Sequence, residues 1–220
     1  MIVYDTLEQG TPEWCEVRRG IPTASNFDKI LTPGGKPSAQ AKPYMRHLIA
    51  ELIIGRPIQQ VKTSWMQRGN EMEGEAMSFY EFDQEVTIKR VGFIENDLRT
   101  WGCSPDALVG NDGMAEFKCP APDTHIGYML WSDVATDYRV QLQGQLFVAE
   151  RDWVDICSYH PELPPVIVRV QRDEPYITLL AAALEQFVED MSIERQRLID
   201  LGFTIHERTP GEPLAVKGAA

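Results

Sequence analysis

Ser104-Pro105-Asp106-Ala107-Leu108-Val109-Gly110-Asn111-Asp112-Gly113-Met114-Ala115-Glu116-Phe117-Lys118 is the stretch on which the reading of this chain turns. Asn111-Asp112-Gly113 is a hairpin signal, because these residues tolerate the positive φ that tight turns between strands require. It joins a strand-like run over residues 101–109 to a return strand over residues 114–119, stopped by Pro120 and Pro122. Folding one run onto the other brings Asp106 beside the Glu116–Lys118 end. Strand alternation then sets Glu116 and Lys118 on one face, Ala115 and Phe117 on the other. Two carboxylates and an ammonium converge. Oxygen donors of this kind suit a hard divalent cation such as Mg²⁺, with water and a phosphate oxygen as further ligands. The lysine can hold or help deprotonate an attacking water, or stabilise charge developing on phosphorus. A surface hairpin with an exposed ion pair satisfies the same triplet.

Outward from the hairpin, residues 86–90 and 92–95 read as strands. Residues 64–82 read as a helix, with Met72, Ala76, Phe79 and Tyr80 at helical offsets. A helix led by Pro43 runs through Ile53 and ends near Gly55-Arg56-Pro57, behind a loop-like stretch over residues 32–38. Nearer the N-terminus, a short helix carries Trp14, Val17 and Arg18, and the chain restarts at Thr23-Ala24-Ser25, where either hydroxyl can cap. Downstream, residues 137–149 read as helix, 153–159 and 166–171 as strands, and 176–201 as a long amphipathic helix closed by Gly202. Helices, then a mainly mixed sheet, then helices again describe a single α/β domain over residues 1–208. A frayed tail over residues 209–220 is expected to follow.

The 220 residues are 43% hydrophobic and 25% charged, enough for a real core. A net charge of −12 argues against a generally basic nucleic-acid coat, though residues 12–48 hold six Lys/Arg against three acids. No C-x-x-C pair occurs among the four cysteines, and His47, His125, His160 and His206 are scattered, which argues against a structural zinc site. The start lacks an apolar secretory segment, and the longest apolar run, residues 179–184, is too short for a bilayer. A cytoplasmic protein with reduced thiols and no membrane partner is expected.

Pro105-Asp106, nine residues, then Glu116-x-Lys118 is the pattern P-D-x9-E-x-K, which resembles the PD-(D/E)xK nuclease superfamily. Within it, Cys103–Leu108 with Glu116–Pro120 is similar to the phage lambda exonuclease (YqaJ-type viral recombinase) family. So are Glu13-Trp14 through Arg18, Ile21 to Ser25, Arg68-Gly69-Asn70-Glu71-Met72-Glu73, and Tyr138 to Gln143, in the same order over residues 9–200. The resemblance implies a restriction-endonuclease-like core, a central mixed β-sheet flanked by helices. Asp106 and Glu116 would bind two Mg²⁺ ions (Mn²⁺ being the alternative), the Phe117 carbonyl would complete one site and Glu73 the other, and Lys118 would act on the nucleophilic water. Arg18, Ser25, Ser104 and Gln141 match the positions that grip a 5′-phosphate. The implied activity is 5′→3′ digestion of linear double-stranded DNA to 5′-mononucleotides, leaving a 3′ overhang for recombination. A homotrimeric ring and a single-strand annealing protein are the implied partners.

Each residue also has a plainer reading. Glu73 lies in residues 71–85, with six acids and no base, as a solvated helix face would. Ser25 can merely cap a helix, Ser104 merely shape a turn, Arg18 merely form an ion pair, and Gln141 and Gln145 can face solvent. Trp14, Trp65, Trp131 and Trp153 fit core or subunit contacts. The rival activities are a PD-(D/E)xK endonuclease, a catalytically inactive DNA-end-binding protein, and a metal-free glycosidase using paired carboxylates.

Overall fold

The computed structural model describes residues 1–58, 64–131 and 133–209, and the side chains of all of these except 64–71. Along the chain run β1 (Ile2–Tyr4), α1 (Pro12–Arg18), a 3-10 helix (Ala24–Lys29), α2 (Ala41–Ile54) and α3 (Ser64–Asp83). Next come β2 (Ile88–Arg90), β3 (Phe93–Glu95), β4 (Gly102–Cys103), β5 (Ala107–Val109) and β6 (Gly113–Lys118). Then α4 (Pro122–Leu130), α5 (Val134–Asp137), α6 (Arg139–Val148), β7 (Trp153–His160), β8 (Leu163–Gln171) and α7 (Glu174–Asp200) follow. The strands form two sheets, ordered β1-β3-β4 and β2-β5-β6-β7-β8. Every neighbouring pair is antiparallel except β6 and β7, which makes the larger sheet mixed.

Alternation along the larger sheet separates two apolar layers. Leu108, Met114, Val154 and Ile156 face Leu142 and Leu146 of α6 and Leu180 and Leu184 of α7. Ala107, Val109, Ala115, Phe117 and Cys157 face Ala76, Met77 and Tyr80 of α3. The Tyr80 ring meets Phe117 edge-on at 5.6 Å between centroids. Each fully buried Leu, Ile or Phe in such layers stabilises by about 1.5–3 kcal/mol. The result is an α/β domain with a central mixed sheet between helices.

Several expectations need revision. The run 101–109 is two strands in different sheets, broken at Ser104–Asp106, because Pro105 has no N–H to give a ladder. At the hairpin, Val109 pairs with Gly113, so the loop is 110–112 and its left-handed residue is Gly110 (φ 56°). Gly113 belongs to β6, where an added Cβ would lie 2.1 Å from the Trp153 ring. β1 and α4 were not anticipated, and the helix expected over 137–149 is divided into α5 and α6. Thr23 precedes the 3-10 helix but makes no capping hydrogen bond, and Ser25 lies within that helix. The stretch 32–38 is closed by Thr32 N–H to Lys36 O at 2.8 Å. No described helix is long and apolar enough to cross a membrane. Residues 210–220 of the expected tail lie outside the described residues.

Residues 203–209 form a strap across α1, α2 and the small sheet. The His206 amide donates to Leu52 O at 2.8 Å, and Arg19 donates to His206 O and Glu207 O at 2.8 and 2.9 Å. Arg208 donates to Val17 O, to Arg99 O at 2.7 Å and to Glu95 Oε2 at 2.5 Å, while the Tyr4 hydroxyl donates to Glu95 Oε1 at 2.6 Å. Glu95 is fully buried, so these donors are what make its charge tolerable.

Candidate active site

The chain leaves the larger sheet at Val91-Gly92, between β2 and β3, and returns at Ser104–Asp106, between β4 and β5. Two side chains from the N-terminal segment stitch these crossovers together. Gln9 Nε2 donates to Val91 O and to Pro105 O, both at 3.0 Å. Trp14 Nε1 donates to Gly92 O at 2.9 Å and Ser104 Oγ at 3.0 Å. Trp14 is fixed by the start of α1, where Thr11 Oγ1 accepts its amide and Pro12 opens the helix.

One turn further along α1, the Arg18 guanidinium stacks 3.8 Å from the Trp14 ring centroid, and its Nη1 donates to Ser104 Oγ at 3.0 Å. Burial pushes Arg18 down to about 10, which leaves it cationic at neutral pH. Its neighbour Arg19 pairs with Glu16, whereas Arg18 has no carboxylate partner among the described residues. Ser104 Oγ accepts from both Trp14 and Arg18, so both lone pairs are used and its own hydrogen is free to donate.

Register sets the acids. Ala107 pairs with Ala115 at the end of the β5–β6 ladder, which places Asp106, the residue before β5, beside the Glu116–Phe117 peptide. Asp106 Oδ2 accepts the Phe117 N–H at 2.7 Å. Glu116, almost fully buried, accepts from Lys118 Nζ at 2.5 Å, Gln141 Nε2 at 2.6 Å and Gln145 Nε2 at 2.8 Å. The two glutamines stand one turn apart on α6, Gln145 buried and Gln141 half-buried. A cavity of about 220 Å³ is lined by Gln9, Trp14, Arg18, Ser25, Ser104, Asp106, Glu116, Gln141 and Gln145. It adjoins a larger cleft of about 1130 Å³, which shares Trp14, Arg18 and Ser25 and adds Lys29 and His47.

Burial, then the charge of Glu116, holds the Asp106 carboxyl well above the usual carboxylate range. Glu73 is also raised, first by burial and then by Glu116, against the opposing pull of Arg90 and Lys118. For Lys118, burial alone would lower the value, but Glu116 and Asp106 together raise it, so the amine is held as an ammonium.

This donor set fits a divalent cation. Burial and, after it, the charge of Glu116 both penalise an ionised Asp106, and a cation offsets that penalty. Gln145 Oε1, buried and without a hydrogen-bond partner, is a further uncommitted oxygen at the cavity. Among the described residues, no group of three or more His, Cys, Asp or Glu could hold a metal by itself, so Glu73 does not join Asp106 and Glu116 in a three-acid cluster. Lys118, Phe117 and Glu73 are not among the residues lining the cavity; the other predicted site residues are. Gln9, which the sequence analysis gives no role, lines it too, as do Trp14, there a core or subunit contact, and Gln145, there a solvent-facing side chain but buried in the structure. Only the shared helix face of Gln141 and Gln145 could have pointed to the last.

Residues 13–152 match the family model of the YqaJ-like viral recombinase domain. An alkaline exonuclease (LHK-Exo) from Laribacter hongkongensis is 30% identical with a TM-score of 0.79, over 87% of this chain and 98% of its own. The same enzyme in complex with dAMP matches equally. A phage related exonuclease from Haemophilus somnus 129PT has a TM-score of 0.64 at 16% identity, over 82% of this chain and 96% of its own, a likeness of fold. The comparison with curated proteins returns no match.

Proposed function

The chain belongs to the YqaJ-like viral recombinase family, and on that premise we propose that it is a divalent-metal-dependent 5′→3′ exonuclease on linear double-stranded DNA. It releases 5′-mononucleotides and leaves a 3′ overhang for recombination by strand annealing. The observation that carries this reading is one cavity in which Asp106 and Glu116 share walls with Arg18, Ser25, Ser104 and Gln141.

Asp106, Glu116 and the Phe117 carbonyl would hold one cation, and Glu73 would help hold a second through water; Mg²⁺ is the expected ion. Bound there, a cation supplies positive charge to the scissile phosphate and acidity to a water. The rest is the work of the chain. Glu116 is held in one orientation by three donors, which fixes the acid pair before substrate arrives. The Lys118 ammonium orients water and offsets negative charge gathering on the phosphoryl oxygens. Arg18 presents a fork matched to a terminal phosphate, Ser104 contributes its free hydroxyl hydrogen, and Gln141 retains a second amide hydrogen. Gripping the 5′ end sets polarity, since the next phosphodiester is then presented to the acids. A homotrimeric ring and a partner annealing protein complete the proposal.

The deciding experiment is a time course with Mg²⁺ on 5′-phosphorylated and 5′-hydroxyl linear duplex, with a closed circle and an EDTA arm alongside. Mononucleotide release from the phosphorylated linear form, none from the circle and none in EDTA is the expected result. Nicking of the circle would instead make the protein an endonuclease, and end binding without release would make it an inactive end-binder.

A further inference from the structure

The segment bearing Ser104 and Asp106 has no strand ladder of its own, since β4 ends at Cys103 and β5 begins at Ala107. What holds it comes largely from outside. Trp14 and Arg18 hold the Ser104 hydroxyl, and the Phe117 amide holds the Asp106 carboxylate. The described hydrogen bond to the peptide between them is the one that Pro105 O accepts from Gln9. Pro105 is buried, so this carbonyl has little recourse to water if Gln9 is lost.

We infer that Gln9 is a positioning residue for the active site, acting through the Pro105–Asp106 peptide. Its amide nitrogen donates both hydrogens, one to each inter-sheet crossover, so it ties the point where the chain leaves the larger sheet to the point where it returns. Orientation of the Pro105 carbonyl sets the direction in which Asp106 leaves the turn. Gln9 reaches neither Asp106 nor Glu116 in any described hydrogen bond, although it lines the same cavity. Its Oε1 lacks a proton to give, and its effect is therefore on the geometry of the acid and the serine.

This inference rests on the nuclease reading, and the test separates the two. Gln9→Met keeps length and removes both donors, Gln9→Glu keeps shape and turns a carboxylate towards two carbonyls, and Gln9→Lys keeps donors. Turnover and KM on 5′-phosphorylated duplex, Mn²⁺ affinity without DNA, and hydrogen exchange of the peptide spanning 101–108 are measured for each. Met and Glu are expected to lower kcat about tenfold or more with KM little changed, since sub-ångström misplacement of a reacting group is costly. They should also weaken Mn²⁺ binding and speed exchange over 101–108, and Lys should recover most of each. Wild-type kcat, Mn²⁺ affinity and exchange in Gln9→Met would overturn the inference, as would equal losses in all three variants. Absence of nucleotide release by the unaltered protein would instead sink the nuclease reading, while hydrogen exchange still decides the role of Gln9.

Discussion

Lys118 and Asp106 lie within one electrostatic cluster and respond to it in opposite ways. The ammonium gains from two acids, whereas the Asp106 carboxyl is buried beside another acid. Lys118→Ala is expected to lower turnover by about 10²-fold or more while sparing Mn²⁺ and DNA-end binding. A rate near wild type in single-turnover assays would remove Lys118 from the mechanism. For Asp106 the raised folded pKa means that the native state binds its proton more tightly than the unfolded chain. Its contribution to stability is complete below the unfolded carboxylate value and is lost as pH rises through the folded one. Cation binding needs the deprotonated form, so it should offset that loss. Thermal midpoints with and without Mg²⁺ are therefore expected to diverge as pH rises from acid to neutral; parallel curves would contradict this. At this scale the sequence was informative about the acids, because hairpin register and alternation are local. Gln145 was not legible, because the partner that buries it, Glu116, lies 29 residues away in the chain.

Elements bring those residues to one cavity, and α6 packs closely on the 3-10 helix at Gly144. A Cβ on Gly144 would lie 2.6 Å from the fully buried Phe27 ring. Gly144→Ala should therefore push Gln141 and Gln145 away from the segment bearing Ser25. A cost of about 1–3 kcal/mol by denaturant unfolding is expected, with a parallel loss of preference for phosphorylated ends. An unchanged midpoint and preference would mean that the two elements slide freely. The missed elements have physical reasons. Pro122 reads as the stop of a strand, yet proline is also a favoured first residue of a helix, and it opens α4. β1 has three residues and is defined by pairing with β3, some ninety positions away, for which no local pattern exists. The break at Ser104-Pro105 was visible as a proline, but its significance depends on a second sheet.

At the scale of the whole molecule, the strap over residues 203–209 ties the end of the described chain to α1, which carries Arg18. Arg208 is the principal cation facing fully buried Glu95, with Arg99 3.7 Å away on the other oxygen. Arg208→Met is expected to cost about 3–5 kcal/mol, because it leaves a buried carboxylate short of its partner. Urea titration reads this directly, and a loss under about 1 kcal/mol would mean that Glu95 finds other compensation. Arg208→Met with Glu95→Gln should recover much of the stability, since the uncompensated charge is then gone.

The cavity draws its walls from position 9 to position 145, and β6 is completed only by β7, its parallel neighbour over residues 153–158. No single element of the chain therefore owns the site. Severing the backbone in the 110–112 loop would part Asp106 from Glu116, giving two halves each inert alone. Co-expressed, those halves should regain nucleotide release through strand pairing of β5 with β6, which makes this loop the natural seam for a two-piece, reconstitutable version of the protein.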